Sequence, residues 1–231
     1  MRKKSKSPIK STFWLVVIFI SLSVIPIWIT AGNAITFRPP GDDAPTTSTG
    51  GASRSGGSCV ASNAEFSPVV PKTNSGLTLS PHPTVYAYIP ETTAKKAFFS
   101  IEDENTNHLY QTTIDLPASS GVIGIKIPDS ASELKTSKNY KWSLVMICGE
   151  YIEPDSPSVN AWIRRLEQAE LPVSESSVSK LATKGIWYDA ISELAQLRNA
   201  QPENSQLTQS WTELLQSGGL EAIAMKPLMK Q

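Results

Sequence analysis

Short segments of alternating apolar and polar residues fill the middle of this 231-residue sequence and constrain its fold most strongly. They are rich in β-branched and aromatic residues, and turn-forming residues separate them at intervals of about ten residues. The segments are Leu77–Pro90, Ala97–Glu104, His108–Leu116, Gly121–Pro128 and Tyr140–Cys148. Because many short strands at even spacing are typical of two packed sheets, the pattern predicts an antiparallel β-sandwich.

Two details refine this prediction. Tyr140 begins the last of these segments and follows Leu134 by six residues, a spacing typical of the tyrosine corner of immunoglobulin-like domains. We therefore predict an immunoglobulin-like sandwich, with Tyr140 and Trp142 in its core. The next segment, Ser158–Glu167, alternates like a strand but also fits one face of an amphipathic helix. We favour a final strand and keep the helix as the alternative.

After Leu171 the apolar residues recur every three to four positions, which is the period of an amphipathic helix. The segments that follow this period are separated by Gly and Pro, which end helices. The C-terminal part is therefore predicted to be a small helical bundle, and the whole chain belongs to the α+β class. Trp211 lies on the apolar face of one of these helices, so we expect it to be buried.

The stretch Gly185–Pro202 contains adjacent aromatic and acidic residues that resemble a reactive site. Helical geometry, however, places Trp187, Ala190 and Leu194 on one apolar face. The same geometry places Tyr188 at the edge of that face and Asp189 opposite it, in water. We interpret the stretch as a packing helix. Its Gly-x-aromatic-x-x-Ala spacing is similar to the second helix of a tetratricopeptide unit, which predicts a helical hairpin that is tetratricopeptide-like in part.

Composition divides the chain into four parts. Residues 1–34 are predicted to be a signal peptide or signal anchor, and residues 35–75 a linker rich in Gly, Ser, Pro and Thr. Residues 76–170 form the predicted β-sandwich domain, and residues 171–231 the helical domain.

The first ten residues carry five basic residues and no acid, and an apolar run follows from Phe13 to Ile29. This order is typical of a secretory signal. Gly32 and Ala34 fit the −3 and −1 positions of a cleavage site, so we favour cleavage after Ala34 over an uncleaved anchor. The sequence thus predicts an exported, periplasmic or otherwise extracytoplasmic protein. If the segment stays uncleaved, it anchors the protein in the inner membrane. Membrane contact is expected only in that case.

Export changes the charge of the protein. The first 34 residues hold five of the 21 basic residues and none of the 21 acidic ones, so the remaining chain has a formal charge of −5. Because nucleic-acid binding depends on clustered Lys and Arg, this balance argues against a nucleic-acid partner.

The two cysteines, Cys59 and Cys148, form an even number in a chain predicted to be exported to an oxidising compartment. We predict a disulfide between them and keep two unpaired thiols as the alternative. The bridge would close a loop of about 90 residues, which in the chain-entropy model stabilises a fold by about 4 to 5 kcal/mol.

Residues that could perform chemistry are sparse. The two histidines, His82 and His108, are too few for most metal sites or catalytic triads, and no metalloprotease or serine-hydrolase motif occurs. We therefore predict a non-catalytic protein without cofactor or metal, which binds an unknown protein partner in the cell envelope. Tyr188, Arg164 and Arg165 are the candidate partner surface. The alternative is a carboxylate-dependent envelope hydrolase or carbohydrate-active enzyme.

A set of motifs runs through nearly everything after the linker: GGSC, YAYIP, LYQTTIDLP, GVIGIKIP, YKWSLVMIC, AWIRRLE, GIWYDAISELAQLR, WTELLQSGGLEAIA and the final PL. In this combination the sequence resembles the cyanobacterial domain of unknown function 928 family. Ala161 departs from the pattern, because glycine is expected there. The resemblance implies an exported protein, with no established reaction.

Overall fold

The computed structural model describes residues 34–40, 59–61, 64–167 and 178–229. Eight strands come first along the described chain and three helices follow, as the change of period predicts. The strands are β1 (Ser67–Pro68), β2 (Ser75–Thr78), β3 (Thr84–Ile89), β4 (Lys96–Asp103), β5 (His108–Asp115), β6 (Gly121–Lys126), β7 (Asn139–Ile147) and β8 (Ser158–Arg165). The helices are α1 (Val178–Thr183), α2 (Trp187–Ala200) and α3 (Ser205–Ser217).

The strands form two sheets. One has the order β1-β3-β6, and the other has the order β2-β8-β7-β4-β5. All pairs of neighbouring strands are antiparallel except β2 and β8, which run parallel. The parallel pair places β2 at one edge of the larger sheet, and β5 lies at the other edge.

The period-two patterns produce the buried faces directly. In β7, Tyr140, Trp142, Leu144 and Met146 are buried, whereas the residues between them are half-buried. The same alternation buries one face of β4 and one face of β8. Because alternate side chains of a strand point to opposite faces, each of these three strands supplies one row of its side chains to the core.

Ser158–Arg165 form strand β8, so the interpretation of this segment as a final strand is confirmed and the helical alternative is wrong. Ala161 is fully buried on its inner face. The tyrosine-corner spacing also has a structural counterpart, because the hydroxyl of Tyr140 accepts a hydrogen bond of 2.9 Å from the backbone N–H of Lys135.

The helices pack onto the sheets, and side chains of both regions join one cluster of buried residues. Gly185, with φ of 76°, lets the chain turn between α1 and α2. Asn204 caps α3, because its side-chain oxygen accepts hydrogen bonds from the backbone N–H groups of Gln206 and Leu207.

Three stretches of the predicted linker are described, and Cys59 is buried in the short one, 59–61. The linker prediction is also wrong for the two longer ones, 35–40 and 64–75. In the first, Phe37 is buried and packs edge-on against the Trp187 ring at a centroid distance of 5.0 Å. In the second, Phe66, Val69 and Val70 are buried. The Gly, Ser, Pro and Thr residues around these apolar residues predicted a linker. The few apolar side chains nevertheless reach the core. Residues 41–58 and 62–63 of the predicted linker lie outside the described residues.

The predicted disulfide between Cys59 and Cys148 is confirmed. It joins the segment before β1 to the end of β7, across a sequence separation of 89 residues. The Cys59 carbonyl also accepts hydrogen bonds from the Thr92 hydroxyl and the Thr93 backbone N–H, and an isolated antiparallel bridge between Val60 and Thr92 holds the same segment.

The predicted signal segment lies outside the described residues, apart from Ala34. A helix of sufficient length and apolar character to cross the bilayer does not occur within the described part of the chain.

Candidate binding cleft

A cleft of about 320 Å³ lies where α2 meets the loop from β2 to β3. We call it the α2 cleft. Both hydrogen-bond donors and acceptors line it, together with a few apolar side chains. The lining residues are Thr78, Leu79, Ser80, His82, Pro83, Thr84, Lys126, Leu181, Tyr188, Asp189, Ser192, Glu193 and Gln196.

Asp189 lies in the first turn of α2 and connects this helix to the end of β2. Its carboxylate accepts a 3.1 Å hydrogen bond from the Leu79 backbone N–H and a further one from the Thr78 side chain. Burial raises the pKa of Asp189 above its ordinary value, and these hydrogen bonds oppose the rise in part. The sequence interpretation that placed Asp189 in water is therefore wrong.

Glu193 follows one turn later on α2, so its side chain lies beside that of Asp189. Partial burial raises the pKa of Glu193, and the negative charge of Asp189 raises it further. On the opposite side, the Lys126 ammonium at the end of β6 donates a hydrogen bond to the His82 carbonyl. The cleft thus combines two neighbouring carboxyl groups with one ammonium group.

His82 is buried in the cleft wall, where its ring stabilises the fold through contacts with two other residues. One ring nitrogen, Nε2, lies 3.0 Å from the Ala131 carbonyl, and the other, Nδ1, lies 3.5 Å from the exposed carboxylate of Asp129. These contacts hold the loop before β3 against the segment after β6.

Tyr188 is buried in the structure, which contradicts its prediction as part of a partner surface. Its hydroxyl accepts a 2.8 Å hydrogen bond from Trp142 Nε1 and donates one of 2.9 Å to the Trp162 carbonyl. Burial raises the pKa of the Tyr188 hydroxyl. The helical projection failed here because α2 contacts neighbours on more than one side, so a residue at the edge of the apolar face is covered as well.

The arginine pair is also not a joint surface. Arg164 and Arg165 are consecutive in β8 and therefore point to opposite faces of the sheet. Arg165 Nη1 donates a 2.8 Å hydrogen bond to the Leu134 carbonyl and lies 3.6 Å from the Glu133 carboxylate. This arginine fastens the loop before β7 to the end of β8.

A family model described as Domain of Unknown Function (DUF928) matches residues 49–228. The chain belongs to the DUF928 family. The match to DUF928 includes both cysteines of the disulfide and every residue of the α2 cleft. No curated protein matches the chain.

The predicted core residues of this DUF928 chain lie inside the protein. Trp187, Ala190 and Leu194 of α2 are buried, as is Trp211 of α3. Sequence reasoning missed the α2 cleft because its residues come from separate segments. The one available signal was the pair of acids four positions apart in α2.

Chemically, the α2 cleft suits the binding of a hydrogen-bond donor or a cation. The Asp189 carboxylate accepts hydrogen bonds from backbone and side-chain donors, whereas that of Glu193 makes no hydrogen bond to the described residues. Within the ranges 34–40, 59–61, 64–167 and 178–229, no group of three or more His, Cys, Asp or Glu residues is placed to hold a metal ion.

The raised pKa of Asp189 predicts a dependence of stability on pH. Since the pKa is higher in the folded chain, the folded state binds the proton more tightly than the unfolded state. This contribution is complete below the unfolded-state pKa and is lost as pH rises through the folded-state pKa. We therefore expect the free energy of unfolding of the wild type to fall, relative to that of Asp189→Asn, as pH rises from below 3.8 towards neutrality.

Urea denaturation at a series of pH values measures this difference. The exposed Asp155→Asn variant is the control for loss of one carboxylate. Parallel curves for wild type and Asp189→Asn, or a relative gain by the wild type as pH rises, would contradict the burial argument.

Proposed function

We propose that this chain is an exported, non-catalytic binding or adaptor protein of the cell envelope. In this proposal the α2 cleft receives a basic side chain of an envelope protein. The observation that supports it is the pair Asp189 and Glu193 on one wall of the cleft, with both pKa values raised by burial. A cationic group placed between them would offset their mutual repulsion and favour their ionised forms.

The hydrogen bonds of Asp189 favour binding over catalysis. A general acid or a nucleophile needs a carboxyl oxygen directed at the substrate. Asp189 instead accepts hydrogen bonds from Leu79 and Thr78, so its role is to hold the cleft together. Glu193 alone would then have to act both as the general acid and as the base or nucleophile of a hydrolysis that uses two carboxylates.

The charge of the protein also favours a basic partner. A chain cleaved after Ala34 has a formal charge of −5, which attracts a basic surface before contact. The Lys126 ammonium group donates a hydrogen bond to the His82 carbonyl. It therefore neutralises the cleft carboxylates less than an unbound ammonium group would.

We infer that the two sheets form an immunoglobulin-like sandwich that serves as a rigid scaffold for the helices. The contact of the Tyr140 hydroxyl with the Lys135 backbone, five residues upstream, supports this inference because it has the form of a tyrosine corner.

Export is supported by the disulfide and by the position of the predicted cleavage site. The Ile35 backbone N–H donates a 3.1 Å hydrogen bond to the Glu213 carboxylate of α3, and Ile35 is buried. Cleavage after Ala34 would convert this amide into an α-ammonium group. The hydrogen bond would then join two opposite charges and become stronger.

We therefore expect the mature protein to begin at Ile35, which intact-mass measurement of protein from the native envelope checks. Glu213→Gln should destabilise a chain that begins at Ile35 by about 1 kcal/mol more than a chain that begins at Ala34. Glu203→Gln, in the exposed loop before α3, is the control for loss of one acid. A mature chain that begins elsewhere, or equal effects of Glu213→Gln in both chains, would contradict this account.

The binding proposal is tested by capture of the tagged, full mature chain from its native envelope. Mass spectrometry then compares the wild type with Glu193→Gln and with Glu150→Gln, a control in the exposed loop after β7. We expect one stoichiometric protein to be retained by the wild type and the control and to be lost with Glu193→Gln. Retention that is equal for all three chains, or no stoichiometric protein, would refute the cleft as the binding site.

The raised pKa values favour one alternative, a carboxylate-dependent hydrolase of envelope polymers, in which the protonated Glu193 acts as general acid. Release of soluble fragments from purified peptidoglycan or polysaccharide measures this activity. Fragment release that disappears with Glu193→Gln and persists with Glu150→Gln would establish the hydrolase in place of the adaptor.

A further inference from the structure

Within the described part of the chain, strand β5 is an open edge of the five-stranded sheet, and the edge next to α2 is β2. The other edge strand, β2, is covered: the Leu77 N–H donates to the Gly185 carbonyl, and the Leu79 N–H donates to Asp189. Among the described strands, β5 pairs with β4 alone.

The register of β4 and β5 shows which backbone groups face outward. The Leu116 N–H, just beyond β5, donates a 2.8 Å hydrogen bond to the Lys95 carbonyl, so these opposite residues form a hydrogen-bonded pair. Such pairs alternate along an antiparallel ladder. Thr112 therefore directs its backbone groups towards β4, whereas Gln111 and Thr113 direct theirs away from the sheet.

A groove of about 470 Å³ lies beside this edge, between β5 and β6. Its walls are mainly apolar. Tyr110 and Ile114 of β5 contribute their half-buried side chains, and Ile123, Ile125 and Met229 come from β6 and the C-terminal segment. The groove can therefore accept a row of side chains from an added strand.

Several features that protect edge strands are missing from the central part of β5. The strand is eight residues long, contains no Pro or Lys, and carries its one histidine, His108, and its one acid, Asp115, at the two ends. The ladder with β4 is irregular near the start of β5, where Ile101 pairs with Tyr110 and Glu102 pairs with His108, so Leu109 is an extra, bulged residue. An edge of this kind pairs readily with another strand.

We propose that β5 pairs antiparallel with β5 of a second copy of this chain, around a two-fold axis that passes Thr112. A two-fold axis perpendicular to the sheet keeps each side chain on its own face, so opposite residues must both be odd or both be even in number. In this register Thr112 faces Thr112, Tyr110 faces Ile114, and Gln111 faces Thr113. The two sheets then join into one sheet of ten strands.

Three observations favour a second copy as the occupant. The outward groups of Gln111 and Thr113 become a hydrogen-bonded pair, so the exposed backbone groups satisfy each other. An aromatic side chain meets a β-branched one at Tyr110 and Ile114, a favourable cross-strand pair, and both extend over the apolar groove. No like charges meet, because Asp115 at one end of β5 faces the other end of the partner strand, which carries no acid.

Sedimentation velocity of the full mature chain over a range of concentrations tests the proposal. We expect reversible dimerisation that Thr113→Pro weakens at least tenfold. Proline removes the outward N–H of residue 113 and spares the ladder with β4. Thr113→Ala, which keeps that N–H, should dimerise like the wild type, and circular dichroism and thermal melting should show all three chains folded.

Cysteine cross-linking tests the register. Under oxidation, Thr112→Cys should form a covalent dimer, because non-hydrogen-bonded opposite residues lie about 4.5 Å apart between Cα atoms, within disulfide range. Thr113→Cys, whose counterpart lies two residues away along the ladder, should cross-link far less. A monomer at all concentrations, a dimer insensitive to Thr113→Pro, or equal cross-linking of the two variants would overturn the proposal. So would a monomer that binds extended peptides at β5 instead.

Discussion

Replacement of both Cys59 and Cys148 with Ser is expected to lower the free energy of unfolding by about 4 to 5 kcal/mol. The bridge closes a loop with a sequence separation of 89 residues, and such a loop strongly restricts the unfolded chain. It also joins the segment before β1 to the end of β7. The loss should therefore expose this segment as well as weaken the whole fold.

Urea denaturation of the wild type and the double variant measures this effect. Wild-type protein unfolded in the presence of a reductant provides the control, because it lacks the bridge without any change of sequence. The two reduced states should agree in stability. A loss below about 1 kcal/mol would show that the unfolded chain is already compact at this loop.

The second large effect is expected at Trp187, where substitution with Ala should cost about 3 to 5 kcal/mol. Trp187 is fully buried, and its ring contacts Phe37 and lies close to Gly218. Its Nε1 also donates a 2.8 Å hydrogen bond to the Val69 carbonyl. The variant would leave a cavity and a buried carbonyl without its donor.

Trp162→Ala removes the same side chain from a half-buried position of β8 and is the matched control. Thermal and urea unfolding should show a clearly smaller loss for this control. Equal losses would mean that the contacts between helix and sheets do not concentrate at Trp187.

The strands β4, β7 and β8 were predictable because their apolar residues alternate with a period of two, and the larger sheet buries one row of each of them. Trp142 and Tyr140 show this most directly, since both lie in the buried row of β7. The apolar face of α2 was predictable for the same reason, because Trp187, Ala190 and Leu194 follow the helical period.

Residues whose neighbours come from distant segments could not be assigned. Tyr188 is buried against two strands of the larger sheet. Its hydroxyl accepts a hydrogen bond from the Trp142 indole N–H and donates one to the Trp162 carbonyl. The Asp189 carboxylate is largely removed from solvent at the end of β2, where it accepts a hydrogen bond from the Leu79 N–H. The periodicity of one helix predicts neither contact, because the partner groups lie on distant strands. The parallel pairing of β2 with β8 is likewise a long-range feature.

Composition misled in the region before β2. Its Gly, Ser, Pro and Thr residues are typical of a linker, yet Phe37, Val69 and Val70 are buried. A few apolar residues suffice to hold such a segment when a groove in the fold accepts them. The disulfide adds a covalent attachment in the same region.

Site-specific photo-crosslinking in the native envelope tests whether the α2 cleft binds another protein. A photoreactive residue in place of Gln196, an exposed residue of α2 that lines the cleft, is compared with one in place of Glu150. We predict one discrete protein adduct at position 196 that is absent at position 150 and disappears when Glu193→Gln is added. No adduct at position 196, or the same adduct at both positions, would contradict the assignment of the α2 cleft as the binding site.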